Sequence, residues 1–290
     1  MFITLRKSAF LLCLLTFSVI TNAQQKLRYF SQEKDVKGSE IPYGNNPKVG
    51  KYAQTVDAKI YYETYGKGSP IVILHGGGVG SAYEMGQFID LLTPTHLVIV
   101  ISTRGHGKSE LGSQKVTLEQ RATDVLTVVS AVTQDPVTII GFSDGAYAGY
   151  KFASMYPKKI KQLVAIGAGE VVQGLRTIGA TYAMLESLDK AYWQQQKSLM
   201  PQPERVPEVI TTMMAMYNTT NISKELFMSI QCPVLVVSGE KDANAPLETI
   251  LNAYRMIPNA QLSIIPNAPH TVFLTNFPAV REAMKPFLNL

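Results

Sequence analysis

Between Pro136 and Tyr156 the chain reads P-V-T-I-I-G-F-S-D-G-A-Y-A-G-Y-K-F-A-S-M-Y, and this stretch restricts the possible folds more than any other. Val137 to Phe142 is a short β-branched and aromatic run, suited to a strand buried on both faces. Gly141, Ser143 and Gly145 spell G-x-S-x-G, a helix-like segment follows at once to Tyr156, and Pro157 breaks it. A strand that passes through this pattern into a helix makes a sharp turn and lifts a serine hydroxyl above the sheet edge, as in a nucleophile elbow. The flanking positions are glycine because side chains there would collide with the neighbouring strand and helix.

The rest of the chain repeats the strand–helix rhythm. Lys51 to Val56 and Lys59 to Tyr65 flank Asp57-Ala58 as a first hairpin. Pro70 to Leu74 is a buried strand ending in His75-Gly76-Gly77-Gly78, and Tyr83 to Leu92 has apolar residues at helical spacing. His96 to Ile101 is a second solid apolar strand, followed by the loop Arg104-Gly105-His106-Gly107-Lys108-Ser109. Thr117 and Gln120 predict a capping box for a helix running to about Thr133. Strands follow at Gln162–Ile166, Pro233–Val237 and Gln261–Ile265, with helices at Pro246–Ile257 and Pro278–Leu288. Such alternation predicts an α/β fold: a three-layer sandwich, its sheet mostly parallel and covered by helices on both faces. From about 171 to 226 only helix-like stretches occur, which predicts a helical cap inserted between two strands.

With 290 residues, 46% hydrophobic and 17% charged, the chain is neither disordered nor fibrous. Residues 1–23 are read as a signal peptide: Arg6 and Lys7, an apolar run from Ser8 to Ile20, then Thr21-Asn22-Ala23. A membrane span needs about 20 apolar residues, and this run is shorter, so export to a periplasmic or secreted location is expected without stable membrane insertion. Residues 24–50, polar and containing Gly and Pro, read as an exposed arm leading into a single domain over 51–290. Removing the leader lowers the formal charge from +5 to +3, too mild to imply nucleic acid as a partner. It also leaves Cys232 alone, so no internal disulfide is available to the mature chain. No metal-binding spacing, dinucleotide fingerprint or phosphate loop occurs, and no cofactor is expected.

A serine hydroxyl needs a positioned base. Of His75, His96, His106 and His270, only His270 follows the last strand at the sheet edge where catalytic groups gather. An imidazole base must in turn be oriented by a carboxylate. Asp242 follows the strand before it, with Glu170 as the rival acid and Glu240 as a loop residue. Attack on an acyl carbon creates a negative oxygen that needs preorganised donors. The backbone N–H of Asp144 is one, and Gly77, favoured over Gly78, supplies the second. The Asp144 side chain has two readings: a charge satisfied at the start of its helix, or an anion that recognises a cationic substrate group. Gly78 and Trp193 are further candidates for contact with a small-molecule substrate. Tyr182, Tyr192 and Met213–Met216 are either pocket wall or cap core.

These motifs, H-G-G-G, R-G-H-G-K-S, G-F-S-D-G, G-E-K-D and A-P-H, in this order, resemble the α/β-hydrolase superfamily over roughly Lys51 to Leu290. The G-x-S-D-G form is also similar to that of biphenyl-hydrolase-like hydrolases. The resemblance implies a Ser143–Asp242–His270 triad, an oxyanion hole from Gly77 and Asp144, and a cap over the pocket. Ser102 departs from it, since relatives usually carry Asp before the R-G-H-G loop. The expected activity is hydrolysis of a carboxylic ester through an acyl-enzyme on Ser143. Amide, thioester or carbon–carbon cleavage, acyl transfer and perhydrolysis are alternatives on the same groups, and a non-catalytic binder is the alternative of another class.

Overall fold

All five residues of Pro70–Leu74 are buried, and successive side chains go to different cores: Ile71 and Ile73 to one face of the sheet, Val72 and Leu74 to the other. A strand enclosed in this way has no solvent face, hence its unbroken apolar sequence. The computed structural model describes residues 26–174 and 179–290. The expected signal peptide lies outside the described residues.

Strands β1 (Lys51–Gln54) and β2 (Lys59–Tyr65) form the antiparallel hairpin. Then come β3 (Pro70–Leu74), a helical turn at Ala82–Met85, α1 (Gly86–Leu92), β4 (Leu97–Ile101) and α2 (Leu118–Val132). Next are β5 (Val137–Phe142), α3 (Asp144–Met155) and β6 (Ile160–Ile166). Helices α4 (Tyr182–Leu188), α5 (Lys190–Leu199), α6 (Val206–Thr219) and α7 (Lys224–Met228) separate β6 from β7 (Val234–Gly239). The chain closes with α8 (Leu247–Met256), β8 (Ala260–Ile265), α9 (Val272–Thr275) and α10 (Phe277–Leu288). The eight strands lie in the order β1-β2-β4-β3-β5-β6-β7-β8, parallel from β4 onwards. Helices α2, α3 and α8 bury Val125, Phe152 and Ile250 against one face, while α1 and α10 bury Phe88 and Met284 against the other.

The helical insertion has a defined base. Val171 and Ile222 exchange two backbone hydrogen bonds, 2.9 and 2.7 Å long, which bring its two ends together. Glu170, beside this bridge, accepts hydrogen bonds from Ser223 and from Asn252 (2.9 Å), so the rival acid is engaged at the neck of the cap. Above the neck, Tyr192, Trp193, Val206 and Ile210 form a small core of their own.

The described part of the arm is not the exposed lead-in that its polarity suggested. Leu27 and Tyr43 are buried, the Arg28 guanidinium meets Asp189 at 2.9 Å, and the Ser31 amide donates to the same carboxylate. Gln195 of α5 accepts from the Arg28 amide and donates to the Lys26 carbonyl. Further along, the amides of Gly44 and Asn46 donate to Glu63, buried in β2. The arm's polar backbone is therefore satisfied by cap and sheet, partners that a local sequence pattern does not display.

Candidate active site

The elbow begins as a steric requirement. Ser143 has φ 50° and ψ −114°, in the positive-φ region that a non-glycine residue enters at a cost of about 1–3 kcal/mol. A Cβ on Gly141 would stand 2.5 Å from the Gly145 carbonyl oxygen, and one on Gly145 would stand 2.5 Å from that of Leu74. Only hydrogen fits at either position. Ser143 is pinned by its amide, which donates to the Ile166 carbonyl at 2.8 Å, so its side chain projects from the end of β5 above the sheet edge.

His270 reaches this hydroxyl from the loop after β8, with Nε2 3.0 Å from Ser143 Oγ. Its Nδ1 lies 2.8 Å from Asp242 Oδ2, which makes Nδ1 the protonated nitrogen and leaves Nε2 to accept from serine. Asp242 is held in turn: Oδ1 accepts from the amides of Asn244 (2.8 Å) and Ala245 (2.7 Å). The loops carrying acid and base are laced together, the Lys241 amide donating to the Ala268 carbonyl and the Asn267 amide to Glu240. Glu240 thus serves the loop. Phe142 packs on the imidazole with ring centres 4.9 Å apart.

The amides of Gly77 and Asp144 have no acceptor among the described residues. Both border a cavity of about 460 Å³ that also contains Ser143, His270 and Gly78. Val79, Leu185, Met213 and Met214 give it apolar walls, with Tyr147, Tyr217 and Asn244 adding polar atoms. Trp193 is not part of this wall. It packs edge-on against Tyr182 and Tyr192 inside the cap, 1% exposed, so the expectation that it touches substrate is corrected: its size serves the small cap core.

An α/β-hydrolase-fold family model matches residues 69–190. The human serine hydrolase BPHL is 25% identical over 259 residues, covering 82% of this chain and 85% of the relative. The 2-hydroxy-6-oxo-6-phenylhexa-2,4-dienoate hydrolase of Comamonas testosteroni is 22% identical, covering 80% and 92%. Among solved structures, Est816, described as an N-acyl homoserine lactone degrading enzyme, superposes with a TM-score of 0.68 at 24% identity, over 82% of this chain and all of that one. The chain has the α/β-hydrolase fold, and residues 69–190 match that family's model.

Within this α/β-hydrolase fold, Asp144 does not present a free anion to the cavity. Its carboxylate is buried, lies 2.8 Å from Arg121 Nη1 of α2 and accepts from the Tyr217 hydroxyl of α6. Burial and the Asp144 charge push the Tyr217 hydroxyl far above its ordinary pKa, so it remains a donor. The second reading of Asp144, recognition of a cationic substrate group, is corrected accordingly. Sequence reasoning missed both partners. A signal for Arg121 existed, because it sits within the apolar stripe Leu118, Ala122, Val125 of α2.

The loop after β3 is braced from below. His75 Nε2 accepts from the Thr103 amide at 3.0 Å, so Nδ1 carries the proton that points at the Gly76 carbonyl. Burial, then the neighbouring His106, pushes His75 down to about 3, while burial and Arg121 push His106 to about 4. Both stay neutral and structural. Glu84 accepts from the Gly76 amide at 2.9 Å, and burial pushes its carboxyl up to about 8. Where relatives would carry Asp, Ser102 accepts through its carbonyl from Ser109 Oγ (2.6 Å), and Arg104 anchors the adjoining loop to Asp57 and Asp124.

Proposed function

We propose that this α/β-hydrolase is an exported serine hydrolase that cleaves carboxylic esters of small or medium-sized molecules through an acyl-enzyme. The unbroken line of two hydrogen bonds, Ser143 Oγ to His270 Nε2 and His270 Nδ1 to Asp242 Oδ2, carries this reading. His270 takes the serine proton as Oγ attacks the acyl carbon, and Asp242 holds the imidazole tautomer and balances the imidazolium that forms. The oxygen charge develops against the open amides of Gly77 and Asp144. The imidazolium then protonates the leaving alcohol. Water, deprotonated by His270, releases the acid and restores Ser143.

Labelling by a fluorophosphonate probe and turnover of a panel of p-nitrophenyl esters, amides and thioesters test the proposal. The wild type should be labelled and should prefer esters, and Ser143→Ala and His270→Ala should each lower kcat by about 10⁴-fold or more. An unlabelled wild type would favour a non-catalytic binder, and faster turnover of amides or thioesters would displace the ester assignment.

Export rests on the basic, apolar and small-residue segments of 1–23. Among the described residues, no helix is long and apolar enough to cross a membrane. N-terminal sequencing of the protein from its native host should begin at Gln24, and a chain that keeps Met1 in the cytoplasm would overturn this part.

A further inference from the structure

Asp144 poses an electrostatic problem that rests on the hydrolase reading above. It is the first residue of α3, and its amide faces the position where a negative oxygen develops. Its carboxyl carbon lies 3.1 Å from the point a Cβ on Gly77 would occupy, so the side chain also stands beside the other donor. A carboxylate there repels the charge that the two amides are placed to hold, and the low-dielectric surroundings strengthen the repulsion.

Several titratable or charged groups face this carboxylate. From α2 comes Arg121; from α6, the Tyr217 hydroxyl; from the loop after β3, the neutral His75; the neutral His106, in the loop after β4, stands near Arg121. Asp124, also on α2, is engaged by Arg104 at 2.8 Å. Arg121 is 4% exposed, and its Nε and Nη1 make no aligned hydrogen bond to any described residue. Its contact with Asp144 is therefore one of charge rather than of a bidentate fork. A buried guanidinium that bonds so little is poorly explained by loop-tying alone.

We propose that Arg121 is a positioning residue that neutralises the Asp144 carboxylate, so that the start of α3 can stabilise a developing oxyanion. Tyr217, by donating to the other carboxylate oxygen, ties this compensation to the cap. The pair leaves the donor end of the site without net charge from within the protein.

The experiment compares Arg121→Gln, Arg121→Lys and the double variant Arg121→Gln/Asp144→Asn, with kcat and KM for a neutral p-nitrophenyl ester measured across about pH 5.5–9. In Arg121→Gln, the Asp144 carboxylate beside the two donor amides loses the cation that compensates it. Its kcat should therefore fall to about one tenth of the double variant's or less at pH 8, with KM changed less than threefold. Arg121→Lys should recover most of the loss. The proposal is overturned if folded Arg121→Gln keeps the wild-type kcat, or if single and double variants have the same kcat at every pH, as a purely structural role would give. Should Arg121→Gln not fold, Tyr217→Phe takes its place: kcat about fivefold lower supports the proposal, and an unchanged kcat at every pH overturns it. A wild type that takes no fluorophosphonate and turns over no ester refutes the hydrolase reading and this inference together. An active wild type with insensitive variants refutes the inference alone.

Discussion

Gly77→Ala is the smallest change that tests the oxyanion assignment. The added methyl would stand 2.6 Å from Met213 Sδ on one side and 2.8 Å from Asp144 Cβ on the other. Met213 is flexible and can yield. Asp144 cannot, because its backbone opens α3 and its carboxylate is held by Arg121 and Tyr217. To restore van der Waals contact the Gly77 backbone must retreat by roughly 0.6–0.8 Å, where contacts between carbons settle near 3.5 Å. A donor works only at about 2.7–3.1 Å from the oxyanion, and losing one costs about 3–4 kcal/mol, or 10²–10³ in kcat. Overpacking should also lower stability by about 1–3 kcal/mol. Stopped assays with p-nitrophenyl acetate, together with urea unfolding, separate the two effects. Adding Met213→Ala should restore part of the stability but not kcat, since the contact with Asp144 remains. Gly78→Ala is the control: its methyl meets the tip of Met213 at 3.1 Å and Ile210 Cδ1 in ordinary contact at 3.7 Å, and its φ of +64° brings backbone strain of about 1–2 kcal/mol, so stability should fall more than kcat. A Gly77→Ala enzyme with kcat within threefold of wild type would refute the assignment of Gly77 as donor.

Two other predictions follow from buried charge. An aminoacyl p-nitrophenyl ester should gain nothing over its N-acetyl counterpart, because Arg121 already pairs Asp144; a tenfold higher kcat/KM for the free amine would contradict this. Stability should peak near pH 6.5, for reasons of opposite sign in His and Glu. His75 and His106, held at about 3 and about 4 against an ordinary 6.5, remain neutral in the fold while the unfolded chain takes up protons, so stability is lost as pH falls below 6.5. Glu84, at about 8 against an ordinary 4.5, keeps its proton in the fold, so stability is lost as pH rises from 4.5 to 8. Each proton is worth about 1.4 kcal/mol per pH unit. Between pH 4.5 and 6.5 the two histidines outweigh the one carboxyl, giving a net rise of about that size per unit, and above 6.5 only the Glu84 fall remains. Urea unfolding at pH 5, 6.5 and 8 should trace this, and Glu84→Gln should lose the alkaline fall; equal stability at all three would refute it.

What could be read from the sequence was what steric requirements write locally. β3 and β5 fall on the residues their solid apolar runs indicate, and β4 within one, because burial on both faces leaves no polar positions to blur the ends. The Ser143 turn was legible because two glycines within two residues of it are forced. Thr117 does cap α2, its Oγ1 accepting from the Gln120 amide at 3.1 Å. Boundaries failed where distant packing decides them. The expected Tyr83–Leu92 helix is a tight turn followed by α1 from Gly86, where the arm residue Tyr43 lies against the backbone. β6 begins at Ile160, two residues early, across an irregularity in its pairing with β5. The ring of Asp144, Arg121 and Tyr217 was illegible because it joins three helices far apart in sequence, and a charged residue in an apolar stripe announces a buried partner without naming it.

That ring changes what the cap is. A cap that only roofs the pocket would be free to vary, yet α6 stands directly on the groups that would hold the oxyanion. Met213 abuts Gly77 and Gly78, and Tyr217 is bonded to Asp144. Leu185 of α4 and Met214 of α6 also line the cavity; Leu185 packs against the cap core, and Met214 against both the cap core and the main core. Two kinds of position therefore share one wall. On the ester hydrolase proposal, size and shape at 185 and 214 would set which acyl or alcohol group fits, whereas 213 and 217 are constrained by Gly77, Gly78 and Asp144 beneath them. Substrate preference in this chain is adjustable from the outer cap inwards only as far as α6, beyond which a change in fit is also a change in the chemistry's electrostatics.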